Sequence, residues 1–166
     1  MEFIPIRTTK GIHKLAGIAD EIWHEYWPDR IGLDQTDYMV DLFQSPEALE
    51  RDILEKGYVY WLLKDGPDLV GYTGTHPEED TGKLFISKLY LFDDQRGKGY
   101  ASKAIAFLES FCQENGLQAM YLTVNKENDL AIRAYKAKGF ETVDATVSDI
   151  GNGFTMDDYI MEKKVN

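Results

Sequence analysis

The sequence predicts a mixed α/β chain, one layer of β-sheet with helices on both faces, in the order β-α-α-α-β-β-β-α-β-α-β-β. Three observations predict it: two well-separated apolar stripes of helical period, a run of strand-like segments between them, and an Asn-Gly turn between the last two strand-like segments. Residues 2–7 set Phe3, Ile4 and Ile6 around Pro5 and read as a short edge strand, where proline is tolerated. Thr8 or Thr9 can cap a helix whose Ile12, Leu15, Ala16, Ala19, Ile22, Trp23 and Tyr26 recur at three and four residues, and Trp27-Pro28 ends it. Asp34 can cap a short helix through Phe43. Ser45-Pro46 then gives an N-cap followed by a first-turn proline, with Gly57 as the stop.

Residues 58–64 are aromatic and β-branched, Asp65-Gly66-Pro67 turns the chain, and residues 69–76 return as a hairpin partner. An acidic loop at 77–82 leads to a strand at 83–92. After the loop at 93–97, Ala101, Ala104, Ile105, Leu108, Phe111 and Cys112 form the second helical stripe, ended by Gly116. Residues 119–124 read as a short buried strand. Asn128 caps a helix carrying Ala131, Ala134 and Tyr135, which Gly139 stops. Residues 140–148 and 154–161 flank Ile150-Gly151-Asn152-Gly153 as a closing hairpin. With 166 residues and no linker, repeat or low-complexity tract, residues 1–166 are expected to form a single domain.

Composition narrows the function classes. The longest apolar run, residues 58–63, is far short of the ~20 residues of a membrane helix, and the first ten residues do not read as a secretory signal. A net charge of −11 argues against a duplex nucleic-acid binder. A single cysteine, Cys112, excludes an internal disulfide and a thiolate metal cage, and His13, His24 and His76 lack metal-ligand spacing. A cytoplasmic protein is expected, with neither a nucleic-acid nor a membrane partner. The charge is uneven. Residues 1–57 carry −6, 58–92 carry −2 and 140–166 carry −4, whereas 93–139 carry +1, and that segment is the place to look for an anion site.

Within it, Gln95-Arg96-Gly97-Lys98-Gly99-Tyr100-Ala101 lies between a strand and a helix. Glycines there leave backbone N–H groups uncovered at a helix start, which suits an anion, although a plain strand-to-helix turn reads equally well from the glycines alone. A P-loop is rejected because Lys98 is followed by Gly99 rather than Ser or Thr. A dinucleotide fingerprint is rejected by Ser102, and by a following strand that ends Thr123-Val124-Asn125 without an acidic residue.

A third pattern fits. Arg96-x-x-Gly99-x-Ala101 after Leu89-Tyr90-Leu91 resembles the pyrophosphate-binding motif of the GCN5-related N-acetyltransferases. Val124-Asn125-x-x-Asn128-x-x-Ala131-x-x-x-Tyr135-x-x-x-Gly139-Phe140 is similar to that family's second signature, and the element order matches over nearly the whole chain. The resemblance implies a family-type central sheet and acetyl-coenzyme A as cosubstrate. It implies that the backbone of Leu89, Tyr90 and Leu91 bonds the pantetheine like an added strand. The pyrophosphate then sits on the loop and helix start formed by Arg96, Gly97, Lys98, Gly99, Tyr100, Ala101 and Ser102. Asn128 contacts the pantetheine arm, and Tyr135 protonates the departing thiolate. On spacing alone Tyr135 reads more readily as a core aromatic beside Ala131; the resemblance makes it the acid.

The chemistry also needs a base, because an alkyl amine with a pKa near ~10.4 is free in only about one molecule in a few thousand at neutral pH. Where some members of the family carry a glutamate, this chain has Thr123, which cannot serve. His76, Glu25, Asp37 or a water relay are the alternatives. In the family the first helices wall the acceptor, and here they carry Trp23, His24, Tyr26, Trp27 and Tyr38 among Glu25, Asp29, Asp34 and Asp37. Aromatics with carboxylates suit a cationic amine, although Trp23 and Tyr26 fit the buried stripe as well. The layout resembles bacterial polyamine and small-amine acetyltransferases, with a peptide amine or an antibiotic amine left open. Cys112 reads as packing, and the charges of 78–80 and 157–158 as solvated. The strands after Gly139 could pair across a homodimer. Two rivals stand beside the enzyme: a non-catalytic acyl-coenzyme A-binding regulatory module on the same fold, and an unrelated nucleotide-binding domain.

Overall fold

The computed structural model describes residues 1–165 as mixed α/β, with a seven-stranded sheet in the order β1-β2-β3-β4-β5-β7-β6. The strands are β1 Glu2–Pro5, β2 Val59–Asp65, β3 Asp68–Glu78, β4 Lys83–Leu91, β5 Ala119–Asn125, β6 Glu141–Gly151 and β7 Phe154–Lys164. The helices are α1 Thr9–Tyr26, α2 Pro28–Ile31, α3 Leu33–Phe43, α4 Pro46–Glu50, α5 Tyr100–Glu114 and α6 Asp129–Ala137, with a π-helical turn at Arg51–Glu55. The chain gathers into two compact units, one of Met1–His76 with Lys88–Ala104, the other of Pro77–Ser87 with the residues from Ile105 onward.

In the first unit β1 is the edge strand, paired antiparallel with β2 from Glu2↔Lys64 to Pro5↔Trp61. The hydroxyl of Thr8 caps α1 by accepting from the Gly11 N–H at 3.0 Å. The apolar stripe of α1 is buried as its spacing demands: Ile12, Leu15, Ala16, Ala19 and Ile22 pack on Ile6, Leu49, Tyr60, Leu62 and Tyr72. Alternation along β2 then sends Leu63 to the opposite face, where it meets Val70, Tyr100 and Ala104. Helices thus cover both faces. Two details differ from the sequence reading. Asp34 is not the cap of α3; Gly32, with φ 86°, holds that position without a side-chain bond, and Asp34 lies in the first turn. Between α1 and α3 stands the extra one-turn helix α2, opened by Pro28 at a position where its missing N–H costs nothing. Ser45 caps α4 as expected, accepting from Ala48 N–H at 3.2 Å.

In the second unit β4 and β5 pair in parallel over four residues, from Lys83↔Ala119 to Ile86↔Leu122. Both strands continue beyond that ladder, β4 to Leu91 and β5 to Asn125. β7 pairs antiparallel with β5 on one side and β6 on the other, so β6 forms the second edge of the sheet. Asn152 and Gly153 make the two-residue hairpin turn with φ 55° and 78°, the left-handed pair this turn requires. In α6 Ile132 is buried, and Ala131, Ala134 and Tyr135 are half-buried. In α5, Ala104, Ile105, Leu108 and Cys112 are buried on schedule.

Gly71 on β3 is a close-approach position: a Cβ there would collide with the Tyr90 carbonyl oxygen and press on Leu91. Gly17 in α1 is the opposite case, with nothing near a Cβ. Gly71→Ala is expected to destabilise the chain by about 2–3 kcal/mol, and Gly17→Ala to stabilise it by about 0.5–1 kcal/mol. Urea midpoints of the two variants check both signs.

Candidate active site

The loop that carries the first motif sits in the first unit, between β4 and α5. Gly97 and Gly99 have φ of 76° and 83°, so each stands where a side chain is strained, and a Cβ on either would face open space. The first helical bond of α5 runs from Lys103 N–H to the Gly99 carbonyl at 3.2 Å. The N–H groups of Tyr100, Ala101 and Ser102 therefore precede the helix ladder and lack an intrahelical acceptor. Three aligned donors at the positive end of a 15-residue helix, fed by two left-handed glycines, can hold a phosphate group.

The side chains around this loop are more committed than their sequence suggests. Arg96 turns back onto its own loop, donating from one Nη to Asp93 Oδ1 at 2.7 Å and from the other to the Leu91 carbonyl at 3.1 Å. Tyr100 is buried, and its hydroxyl donates to Asp65 Oδ2 at 2.6 Å, holding that carboxyl below its ordinary range. Lys98 is exposed, its Nζ 3.4 Å from Gln95 Oε1. Leu89, Tyr90 and Leu91 close β4, their side chains half-buried; Leu89 and Leu91 pack on the Leu63–Tyr100 cluster, while Tyr90 packs on the α1 side.

The second motif lies in the second unit. Asn128 is the N-cap of α6, its Oδ1 accepting from Ala131 N–H at 3.2 Å. Tyr135 is half-buried on the next turn but one, its ring edge-to-face with Phe140 at 5.5 Å. Gly139, at φ 97°, lets the Phe140 N–H turn back to the Tyr135 carbonyl at 3.0 Å, which fixes that ring pair. Thr123 stands on β5 opposite Ile160 and carries no titratable group.

The helices expected to wall the acceptor use most of their aromatics internally. Trp23 is buried and donates from Nε1 to the Tyr72 hydroxyl at 2.9 Å. The ring of Tyr26 lies 3.7 Å from the Arg30 guanidinium carbon and 4.6 Å from that of Arg96, so the chain's own arginines occupy its π-face. Of the base candidates, Glu25 Oε1 accepts from the Asp93 N–H at 3.4 Å. Asp37 Oδ1 lies 2.6 Å from His24 Nε2, and this bond, with the Asp20 carbonyl at Nδ1, pushes the His24 pKa above its ordinary value. His76 is not at a strand end, since β3 runs on to Glu78; it stacks on Tyr58 at 4.6 Å. Burial pushes the Cys112 thiol up to about 11, which leaves it inert.

The sequence reading missed Lys88. Its Nζ donates to the Phe43 carbonyl at 2.8 Å and to the Tyr60 hydroxyl at 2.6 Å, with Asp52 Oδ2 at 3.8 Å. Burial lowers its pKa to about 8, and Asp52 opposes that shift. The signal was the period of two along β4: Leu84, Ile86 and Lys88 are the buried alternates. The folded value lies below the ~10.5 of the unfolded chain, so between pH 8 and 10.5 the unfolded state holds the extra proton. Stability relative to Lys88→Met is therefore expected to rise with pH across that window, by about 1–3 kcal/mol, as read from urea midpoints at its two ends.

Comparison with known proteins places this architecture. The description "Acetyltransferase (GNAT) family" applies to residues 19–140 of the chain. The uncharacterised N-acetyltransferase YycN of Bacillus subtilis (strain 168) is 32% identical over 105 residues, 61% of this chain and 67% of that protein. The uncharacterised N-acetyltransferase YjgM of Escherichia coli (strain K12) is 29% identical over 102 residues, 59% and 60% of the two chains. Among solved structures, the PaiA N-acetyltransferase from Thermoplasma acidophilum in complex with coenzyme A superposes with a TM-score of 0.78 at 18% identity, covering 99% of both chains. A spermidine N-acetyltransferase SpeG chimera from Vibrio cholerae and hSSAT gives 0.70 at 16% identity, over 99% of this chain and 96% of that one. Those two likenesses speak to the fold, whereas the family match spans most of the chain, and the chain belongs to the acetyltransferase (GNAT) family.

Proposed function

We propose that residues 1–166 act as one N-acetyltransferase domain that moves the acetyl group of acetyl-coenzyme A directly to a primary amine, a small cationic amine such as a polyamine. The observation that supports it best is the turn at Gly97 and Gly99, left-handed at both glycines and opening α5 with three unladdered N–H groups. In this reading the pyrophosphate binds the N–H groups from Gly97 to Ser102, Lys98 adds charge, and Arg96 holds the loop to Asp93 and Leu91 rather than reaching the ligand. The pantetheine lies along the backbone of Leu89, Tyr90 and Leu91, with Asn128 against its arm.

The acceptor nitrogen attacks the thioester carbonyl, the C–S bond breaks, and Tyr135 protonates the leaving thiolate. For the acceptor's proton the chain offers His76, Glu25, Asp37 or a water chain. The carboxylates of α1 and α3 support a cationic acceptor, and the SpeG chimera is compatible with one. Thr123 supports a second reading, an acyl-coenzyme A-binding regulatory module that does not turn over.

Two variants test the assignments. Gly99→Val places a branched side chain at φ 83° over the N–H cradle, and acetyl-coenzyme A affinity by calorimetry is expected to fall about 100-fold or more. Unchanged affinity would remove the site. Tyr135→Phe is expected to lower kcat about 10²–10⁴-fold in a thiol-release assay with polyamines while cofactor affinity holds within about twofold. An equal loss of both would make Tyr135 a packing partner of Phe140, and binding without turnover of any amine would favour the regulatory module.

A further inference from the structure

Sequence makes Asp157 and Asp158 alike, two solvated charges, and the fold separates them. Asp157 is exposed, and its Oδ1 pairs with Lys126 Nζ at 2.8 Å. Asp158 is 5% exposed, the one acidic side chain that is buried among the described residues. Among those residues no hydrogen bond reaches its carboxylate, whereas Glu25 accepts from the Asp93 N–H and Asp37 is bonded to His24. Neither Asp158 oxygen is among the unbonded side-chain atoms that the fold closes to solvent. The carboxylate is therefore uncommitted and keeps an opening. Burial raises its pKa, the neighbouring Asp157 adds to that, and Lys126 opposes it. The residues opposite it on β5 and β6, Asn125 and Thr146, carry no charge, and Asp144 of β6 is exposed with its Oδ1 on the Ala145 N–H at 2.8 Å.

Register says where Asp158 stands in the second unit. On β7 it is directly opposite Asn125, the last residue of β5, and Ile160 is opposite Thr123. Residues paired across an antiparallel ladder point to the same side, so Asp158, Asn125 and Thr123 share one face. Thr123, Val124 and Asn125 run past the ladder between β4 and β5, which ends at Leu122. From there the chain turns, with the Asn128 N–H on the Asn125 carbonyl at 2.9 Å and the Lys126 N–H on the Asp157 carbonyl at 3.1 Å. That turn presents Asn128, which the proposed reading sets against the pantetheine arm. Lys163 of β7 marks the other face: it pairs with Glu109 of α5, and its stem is 3.2 Å from where a Cβ on Gly139 would stand. Since α6 ends on that face, the helix of Tyr135 and the carboxylate of Asp158 lie on opposite sides of the sheet. A proton donor and acceptor held apart in this way do not quench each other.

We propose that Asp158 is the catalytic base of acetyl transfer, the carboxylate that takes the proton shed by the acceptor nitrogen. The assignment rests on the acetyltransferase reading above, and it supplies on the face of Thr123 the group that Thr123 lacks. As the free amine forms its N–C bond to the thioester carbonyl, the nitrogen becomes strongly acidic and Asp158 accepts its proton. The C–S bond breaks and Tyr135 gives its proton to the sulfur. Solvent then takes the proton from Asp158 and restores the one on Tyr135. Burial that raises the proton affinity of a carboxylate makes it a better base, and its charge favours entry of a cationic amine.

The test uses the full chain, acetyl-coenzyme A, and spermidine, putrescine or phenethylamine in a thiol-release assay. Asp158→Asn is expected to lower kcat about 10²–10³-fold while acetyl-coenzyme A affinity by calorimetry holds within about twofold. An unbonded buried carboxylate opposes folding above its ordinary pKa, so the urea midpoint of Asp158→Asn at neutral pH is expected to equal or exceed that of the unaltered chain. In the unaltered chain kcat is expected to fall at acid pH as Asp158 takes a proton. Asp157→Asn removes a neighbouring negative charge and is expected to move that limb to lower pH, a shift that a merely structural Asp158 would not produce. A kcat for Asp158→Asn within about threefold of the unaltered chain overturns the assignment. So does a lowered urea midpoint with kcat and affinity lost together. Failure of the unaltered chain to turn over any of the three amines removes the acetyltransferase reading and the base with it, whereas turnover that survives Asp158→Asn removes the base alone.

Discussion

The first unit is organised around an ammonium held out of water. Lys88 projects from β4 toward the helices, and its three donors meet the last carbonyl of α3, the hydroxyl of β2's Tyr60 and, more distantly, the carboxylate of Asp52 in the π-helical turn. The end of α3, the π-helical turn and β2 thereby converge on one atom of β4. The helix end supplies partial negative charge where a cation is wanted, and burial keeps Tyr60 protonated so that it bonds without competing for the charge. Such a centre contributes little net free energy, since desolvation opposes most of the attraction. Its effect is to leave β4 one acceptable position under α3, and β4 is the strand whose last residues carry the proposed cofactor contacts.

Much of this architecture was legible in the sequence because it rests on local rules. The α1 stripe, the Thr8 and Ser45 caps, the Asn152-Gly153 turn and the glycine loop before α5 each need only their neighbours in the chain. What escaped depends on partners that sequence does not place. Lys88 and Gln44 are polar residues whose meaning comes from Phe43, Tyr60 and Tyr72 across the fold. The aromatic wall is a case of the same kind: spacing lets Tyr26 serve either the buried stripe or a ligand cation, and only the fold shows Arg30 and Arg96 against its ring. Gly32 displaced Asp34 as a cap because Pro28 starts a short helix that leaves the chain at a positive φ before α3. The roles of Asn128 and Tyr135 came from the family resemblance, and the fold by itself shows a cap and a half-buried ring.

The distribution of charge also changes meaning. The segment 93–139 is the one stretch that is not net acidic, which suggested cationic side chains for an anion. Two of its seven basic side chains are ion-paired within the chain: Arg96 with Asp93, Lys126 with Asp157. In the proposed reading the anion is held chiefly by backbone N–H groups whose orientation is set by two glycines, a fixed dipole that needs no side-chain ordering on binding.

The outer strand β6 has a consequence for behaviour in solution. Its eleven residues are exposed except for two half-buried positions, with Val143 and Val147 bare on an edge of the sheet. A straight strand like that would recruit copies of itself into fibrils. Here the ladder with β7 is broken by irregularities at Thr142/Asp144 and Asp149/Gly151, and the carboxylates of Glu141, Asp144 and Asp149 punctuate it. Bends and like charge make each new copy a poor continuation of the last. The carboxylates of β6 thus act as colloidal protection along an exposed edge of the sheet.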